Sequence, residues 1–275
     1  MTGISQASAL TDNLEALDSA RRFGGVSRLY GASGLAKLQA AHICVIGIGG
    51  VGSWASEALA RNAVGTITLI DLDNIAESNV NRQLHALEGN FGKAKVTAMA
   101  ERIRLINPAV RVIEIEDFVG DENISSLLFE NFDGVIDCID DAKAKAAIAH
   151  FCKIHHLPLV MTGAAGGRLD GSRIKQADLA QVTHDKLLAK VRNTLRRDYA
   201  FPKAEPEKNK ITKLGIHCVY SDEEVVKPEA LCALESSTIT GLNCAGYGSS
   251  VTVTAPFGFI AAGWLLQQLV NVYKS

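Results

Sequence analysis

The chain has 275 residues, 47% of them hydrophobic, and a formal net charge of -2 at pH 7. That length can bury one large core, and at roughly 150 residues per domain it allows one domain with a sizeable addition. The near-neutral balance excludes a globally basic nucleic-acid binder and leaves only a local basic patch for such a role.

Residues 1–40 read as an N-terminal helical arm. Met1 to Leu17 carries Asp12 and Glu15 and lacks a basic stretch leading into an apolar one, so no signal peptide is evident. Cytoplasmic residence with reduced thiols is therefore expected. From His42 to Gly47 runs a short apolar segment, followed by a glycine cluster, a helix-like stretch from Ser53 to Asn62, and a second apolar run from Thr66 to Asp71. This is a βαβ unit, whose strands are apolar throughout because a parallel sheet is covered on both faces.

The alternation continues with a helix from about Lys93 to Ile106, closed by Asn107-Pro108, and a strand from Val110 to Ile115. A helix around Ile124 to Glu130, a strand Gly134 to Ile139, a helix Ala142 to His155 and a strand Leu159 to Thr162 follow. The pattern predicts an α/β fold with a Rossmann-like, doubly wound, mostly parallel sheet, all in a single domain of residues 1–275.

Residues 171–235 read as a polar, basic insertion, and 236–275 as a C-terminal strand and helix that extend the sheet. Between Lys186 and Lys213 nine lysines and arginines stand against few acids, which fits either a basic segment touching phosphate backbone or a solvated helix and loop. Phe257 to Val272 is apolar enough to resemble a membrane span, but Gln267 and Gln268 interrupt it, so a buried core helix is expected. Peripheral membrane association stays open.

The chemistry begins at Gly47-Ile48-Gly49-Gly50-Val51-Gly52, between a strand and a helix. Such glycines let the backbone turn tightly and approach phosphates, which then sit against N–H groups at the positive helix end. Asp71, at the end of the second strand, is placed to accept ribose hydroxyls. A dehydrogenase using NAD and an enzyme using ATP both fit that much.

Arg82, in Ser78-Asn79-Val80-Asn81-Arg82-Gln83, and Lys95, in Gly92-Lys93-Ala94-Lys95, favour ATP, because a triphosphate under attack needs cations to offset its charge. Asp140, in Asp137-Cys138-Ile139-Asp140-Asp141, closes a later strand where it can hold Mg2+ against phosphate oxygens. Its alternative is to cap the helix from Ala142, a task Asp141 could take instead. Six cysteines, Cys44, Cys138, Cys152, Cys218, Cys232 and Cys244, include no C-x-x-C pair, which argues against a zinc ribbon. Cys218 and Cys232 beside His217 are too irregularly spaced for a metal site, and a core or loop role is expected.

Glycine fingerprint, D-x-D (Asp71-Leu72-Asp73), S-N-x-x-R-Q, G-x-x-K and D-C-x-D, in that order, resemble the ubiquitin-activating-enzyme superfamily, which includes the adenylyltransferases of molybdopterin and thiamine biosynthesis. Three further segments are similar to the tRNA threonylcarbamoyladenosine dehydratase branch: Arg22 to Gly31 (RFGGVSRLYG), Thr162 to Gly167 (TGAAGG) and Asn243 to Ser249 (NCAGYGS). The resemblance implies that Gly47, Gly49, Gly50, Gly52, Asp71, Asp73, Asn79, Arg82, Gln83 and Lys95 bind ATP, and that Asp140 binds Mg2+.

It also implies a homodimer in which an arginine of one subunit enters the ATP site of the other. Arg22 and Arg28 are rival candidates, because Gly24-Gly25 breaks the usual spacing. Cys244 sits at the family's cysteine position, as a transient thioester or a pocket wall. The implied reaction is ATP-dependent cyclisation of N6-threonylcarbamoyladenosine in tRNA; activation of a ubiquitin-like sulfur carrier is the alternative. A monovalent cation and sulfur-transfer partners are left open.

Overall fold

The computed structural model describes residues 3–129, 131–203, 211–226 and 247–270, with side chains from residue 19 onward. A helix, α1 (Gly3–Ala40), bends at Gly31 and leads into β1 (His42–Ile46), α2 (Gly52–Arg61) and β2 (Thr66–Ile70). Then come α3 (Lys95–Ile106), β3 (Arg111–Ile115), a single-turn α4 (Ile124–Leu127), β4 (Gly134–Asp137), α5 (Ala142–Ile154) and β5 (Leu159–Thr162). The order closes with β6 (Ile174–Asp178), α6 (Lys186–Asp198), β7 (His217–Ser221) and α7 (Val251–Val270).

One sheet runs β3-β2-β1-β4-β5-β7-β6. All pairs are parallel except β6 with β7. The alternation of strand and helix thus gives the doubly wound α/β sheet that the sequence predicts.

The two strands beyond β5 come from within residues 171–235, so that segment adds to the sheet as well as standing outside it. Within the described part of 236–275 the regular element is α7, and the strand expected before it falls largely outside the described residues. The expected helix to Glu130 stops at Leu127, where the Leu128 N–H still bonds back to the Ile124 carbonyl.

The core has two layers because neighbouring strand residues face opposite ways. Ile43 and Val45 of β1 pack under α2, α3 and α7 through Leu59, Met99, Phe257 and Leu265, joined by Leu38 of α1. Cys44 and Ile46 face the other layer, where Ile148 of α5 and Leu188 and Val191 of α6 lie. Helix α7 is long and apolar enough to cross a membrane, yet half of it is buried against α2 and the sheet. Cys218, on β7, is wholly buried and belongs to the second layer.

The chain leaves β1 toward β2 and β3, then returns to the opposite side with β4 and β5. The carboxyl ends of β1 and β4 therefore diverge at a topological switch point, the crevice where open α/β sheets bind ligands.

Candidate active site

Two glycines shape the turn after β1. Gly47 adopts φ +84°, and a Cβ there would stand 3.0 Å from the backbone of Cys138 and Ile139. A Cβ on Gly52 would lie 1.8 Å from the Gly47 carbonyl oxygen, so any side chain would push the loop off the start of α2. The loop thus lies flat between β1 and the turn after β4. It opens on a cavity of about 640 Å³, lined by Gly47, Gly49 and Gly50 with residues from the turns after β2, β3, β4 and β5 and from several further segments.

The wall after β2 is built around Asp71. Its carboxylate accepts the N–H of Ile48 at 2.6 Å and of Asp73 at 2.9 Å, which ties the glycine loop to the end of β2. Burial raises its pKa above the ordinary carboxylate value, outweighing the pull of Lys95 and of those N–H groups. Lys95 arrives through a backbone clip in which its N–H bonds to the Asp73 carbonyl and Ile75 N–H to the Lys93 carbonyl. Its ammonium lies 2.6 Å from Asp73 and 3.7 Å from Asp71.

Asn79 does not line the cavity. Its side-chain oxygen accepts the Ala76 N–H at 3.0 Å, and its carbonyl accepts the N–H groups of Arg82 and Gln83. It therefore presents Arg82 and Gln83 to the cavity, both of which line it. The Arg82 guanidinium bonds to the Ser78 carbonyl at 2.8 Å and the Asn81 side chain at 3.0 Å. No carboxylate neutralises it among the described residues. Gln83 is buried, and its Oε1 has no partner among the described residues.

The floor is the turn after β4. Asp141 caps α5, accepting the Ala144 N–H at 2.7 Å, which leaves the exposed carboxylate of Asp140 uncommitted at the cavity. Gly163, Ala164, Ala165 and Gly166 close the far side, where Asp185 caps α6 and accepts the Ala164 N–H at 2.9 Å. Phe118, Val119 and Ile139 supply apolar wall. Arg82, Lys95 and Asp140 thus meet at one cavity beside the glycine loop, with Asp71 and Asp73.

Residues 24–274 match the ThiF family. The chain is 46% identical over 257 residues to the tRNA threonylcarbamoyladenosine dehydratase of Escherichia coli (strain K12), covering 91% of this chain and 94% of that one. It is 44% identical over 264 residues to the enzyme of the same name from Haemophilus influenzae, covering 96% and 97%. The crystal structure of E. coli tRNA N6-threonylcarbamoyladenosine dehydratase, TcdA, in complex with ATP superposes with a TM-score of 0.82 at 44% identity, covering 92% of this chain and 95% of that one. The chain belongs to the ThiF family, in its tRNA threonylcarbamoyladenosine dehydratase branch.

Neither Arg22 nor Arg28 lines this family member's own cavity. Both lie exposed on α1, with the Arg22 guanidinium 3.3 Å from the Ile106 carbonyl. Cys232 and Cys244 lie outside the described residues, while Ser249, five positions after Cys244, is at the cavity wall. The residues that sequence reasoning missed are Phe118, Asp185, Thr254 and Lys145. An exposed phenylalanine just past a parallel strand was the one available signal; the other three become meaningful only through partners distant in the chain.

Proposed function

We propose that this protein is an ATP-dependent dehydratase that adenylates the threonyl carboxylate of N6-threonylcarbamoyladenosine in tRNA and cyclises it. The observation that carries the reading is the convergence of an unneutralised Arg82, Lys95 and the uncommitted Asp140 around a glycine loop on one cavity. The family's solved relative with ATP supports the same nucleotide here.

The glycine loop offers N–H groups to the phosphates, and Asp71 and Asp73 face the ribose. Phe118, 56% exposed at the rim, gives the base a flat apolar surface. Lys95 exchanges Asp73, which is largely exposed, for phosphate. Arg82 meets the charge that grows as the carboxylate attacks the α-phosphorus and pyrophosphate departs.

The carboxylate oxygen gains the bond to phosphorus, and the acyl carbon then carries AMP as leaving group. Attack by another atom of the same side chain expels AMP and closes the ring, favoured because both partners are already held together. Asp140 would hold Mg2+ jointly with phosphate oxygens, which suits a hard cation that needs only one or two protein carboxylates. No cluster of three His, Cys, Asp or Glu side chains converges among the described residues, so phosphate and water oxygens would complete such a shell. When bound, the ion offsets phosphate charge.

The second subunit of a homodimer supplies an arginine to this site. Arg28 suits that task better than Arg22, since its exposed guanidinium makes no hydrogen bond or ion pair among the described residues. The tRNA lies across α6, where exposed Lys186 and Lys190 flank Leu187 of the cavity wall. The protein works in the cytoplasm. The test is ATP–pyrophosphate exchange: stimulation by tRNA carrying threonylcarbamoyladenosine and indifference to a ubiquitin-like carrier support the reading, and the opposite pattern favours carrier activation.

A further inference from the structure

Beneath the Asp140 turn lies a charge pair that the reaction does not touch. Lys145 of α5 and Asp137 of β4 are both 0% exposed, with Nζ 2.9 Å from Oδ1. The same ammonium reaches the Asp137 carbonyl at 3.3 Å, and the Thr162 hydroxyl donates to that carbonyl at 3.2 Å. Asp137 Oδ1 also accepts the N–H of Ile139 at 3.2 Å, while Oδ2 has no partner among the described residues. Taking two charges out of water is costly, and apolar side chains of similar volume often fill such a place as well or better. A purely structural need therefore does not account for the pair.

The pair's contacts account for it better. Lys145 Nζ reaches the Asp137 carbonyl, Asp137 Oδ1 holds the Ile139 N–H, and the Thr162 hydroxyl holds the same carbonyl, so these bonds fix the backbone between Asp137 and Ile139. That stretch is wedged between the Gly47 turn, which leaves no room even for a Cβ, and β5. Asp140 comes next in the chain, and Asp141 is already fastened to α5. With the residues before and after it held, the Asp140 backbone is set beside the cavity, which its exposed side chain lines.

We infer that the buried Lys145–Asp137 pair is a positioning device that holds the Asp140 turn against the glycine loop, so that Asp140 meets the metal-bearing triphosphate at a fixed place. Lys145 and Asp137 are positioning residues and touch no reacting atom. The inference rests on Asp140 holding Mg2+, as proposed above.

The test replaces the pair with an apolar one, Asp137→Leu with Lys145→Met, and includes Asp140→Ala as reference. Two quantities are measured by calorimetry: the affinity for ATP in chelator, and the Mg2+ concentration that half-saturates the ATP complex. A folded double variant is expected to keep its metal-free ATP affinity while needing about ten- to a hundredfold more Mg2+, the range seen when groups behind a metal ligand are removed. Asp140→Ala is expected to do the same.

If Asp140→Ala shifts the Mg2+ requirement and the double variant does not, the pair is ordinary core and the inference fails while the Mg2+ reading stands. If Asp140→Ala shifts nothing, both fail. Should the double variant not fold, Thr162→Val removes a single bond to the Asp137 carbonyl. A raised Mg2+ requirement in that variant supports the inference, and an unchanged one overturns it.

Discussion

Two lysine–aspartate pairs flank the cavity, and their surroundings give them opposite tasks. At the ribose-side wall Lys95 stands 2.6 Å from Asp73, whose side chain is 73% exposed. The exposed Asp73 carboxylate can turn to water while phosphate takes its place at Lys95, whose own side chain is only 8% exposed, so this pair is free to exchange. Under the floor, Lys145 and Asp137 have no water to fall back on. The same two residue types serve binding in one place and geometry in the other, and burial decides which.

The sharpest way to break this comparison is to remove one charge from each pair. Lys145→Met strands the Asp137 carboxylate in the core and is expected to cost about 3–5 kcal/mol in denaturant unfolding. Lys95→Ala is expected to cost less than that, because Asp73 is open to water and Asp71 keeps its bonds from the Ile48 and Asp73 N–H groups. Its loss shows instead as a weaker ATP complex, by about 1.5–3 kcal/mol in calorimetry, the worth of a charge-assisted contact. Equal stability losses in the two variants would contradict the account.

Acid offers a third probe, on the Lys95 side. His85 is 1% exposed, both its ring nitrogens lack partners among the described residues, and burial followed by nearby Lys95 pushes its pKa down to about 4. The folded state holds the ring neutral, so its contribution is present above pH ~6.5 and is lost as pH falls toward 4. Between pH 7 and 5 the fold is expected to lose about 2 kcal/mol through this group. His85→Leu should flatten that part of the stability profile, and an unaltered profile would rule His85 out as the cause.

The smallest effect separates two adjacent carboxylates. Asp141→Ala is expected to cost about 1 kcal/mol of stability through the lost cap, with turnover nearly kept. Asp140→Ala should leave the melting temperature nearly unchanged and impair turnover. Reversed outcomes would exchange the two roles.

How much of this was legible depended on whether neighbours in space are neighbours in sequence. Strands β1, β2, β4 and β5 announce themselves because each is buried on both faces and reads as an apolar run. Strand β6, Ile-Lys-Gln-Ala-Asp, pairs with β7 alone and keeps a half-exposed face, so its residues never form such a run. Strand β7 mixes His217 and Ser221 into its five residues and joins β5 across a long intervening segment, which local pattern cannot show.

The site divides the same way. Gly47 to Gly52, Asp71, Arg82 and Lys95 sit in compact motifs whose spacing carries their chemistry. Asp137 was visible only as part of such a motif, and its partner Lys145 looks like any helix lysine until α5 is laid against β4. On paper Asp140 was the Mg2+ candidate, but either Asp140 or Asp141 could have capped α5. The hydrogen bond from Ala144 to Asp141 separates them.

The central claim is that the cavity activates a carboxylate belonging to a tRNA nucleoside. The direct measurement is to incubate the protein with ATP, Mg2+ and tRNA carrying N6-threonylcarbamoyladenosine, then digest the RNA and weigh its nucleosides. The account predicts that the modified nucleoside loses one water in step with AMP formation. An unchanged nucleoside mass, with AMP formed only when a ubiquitin-like carrier protein is supplied, would contradict it.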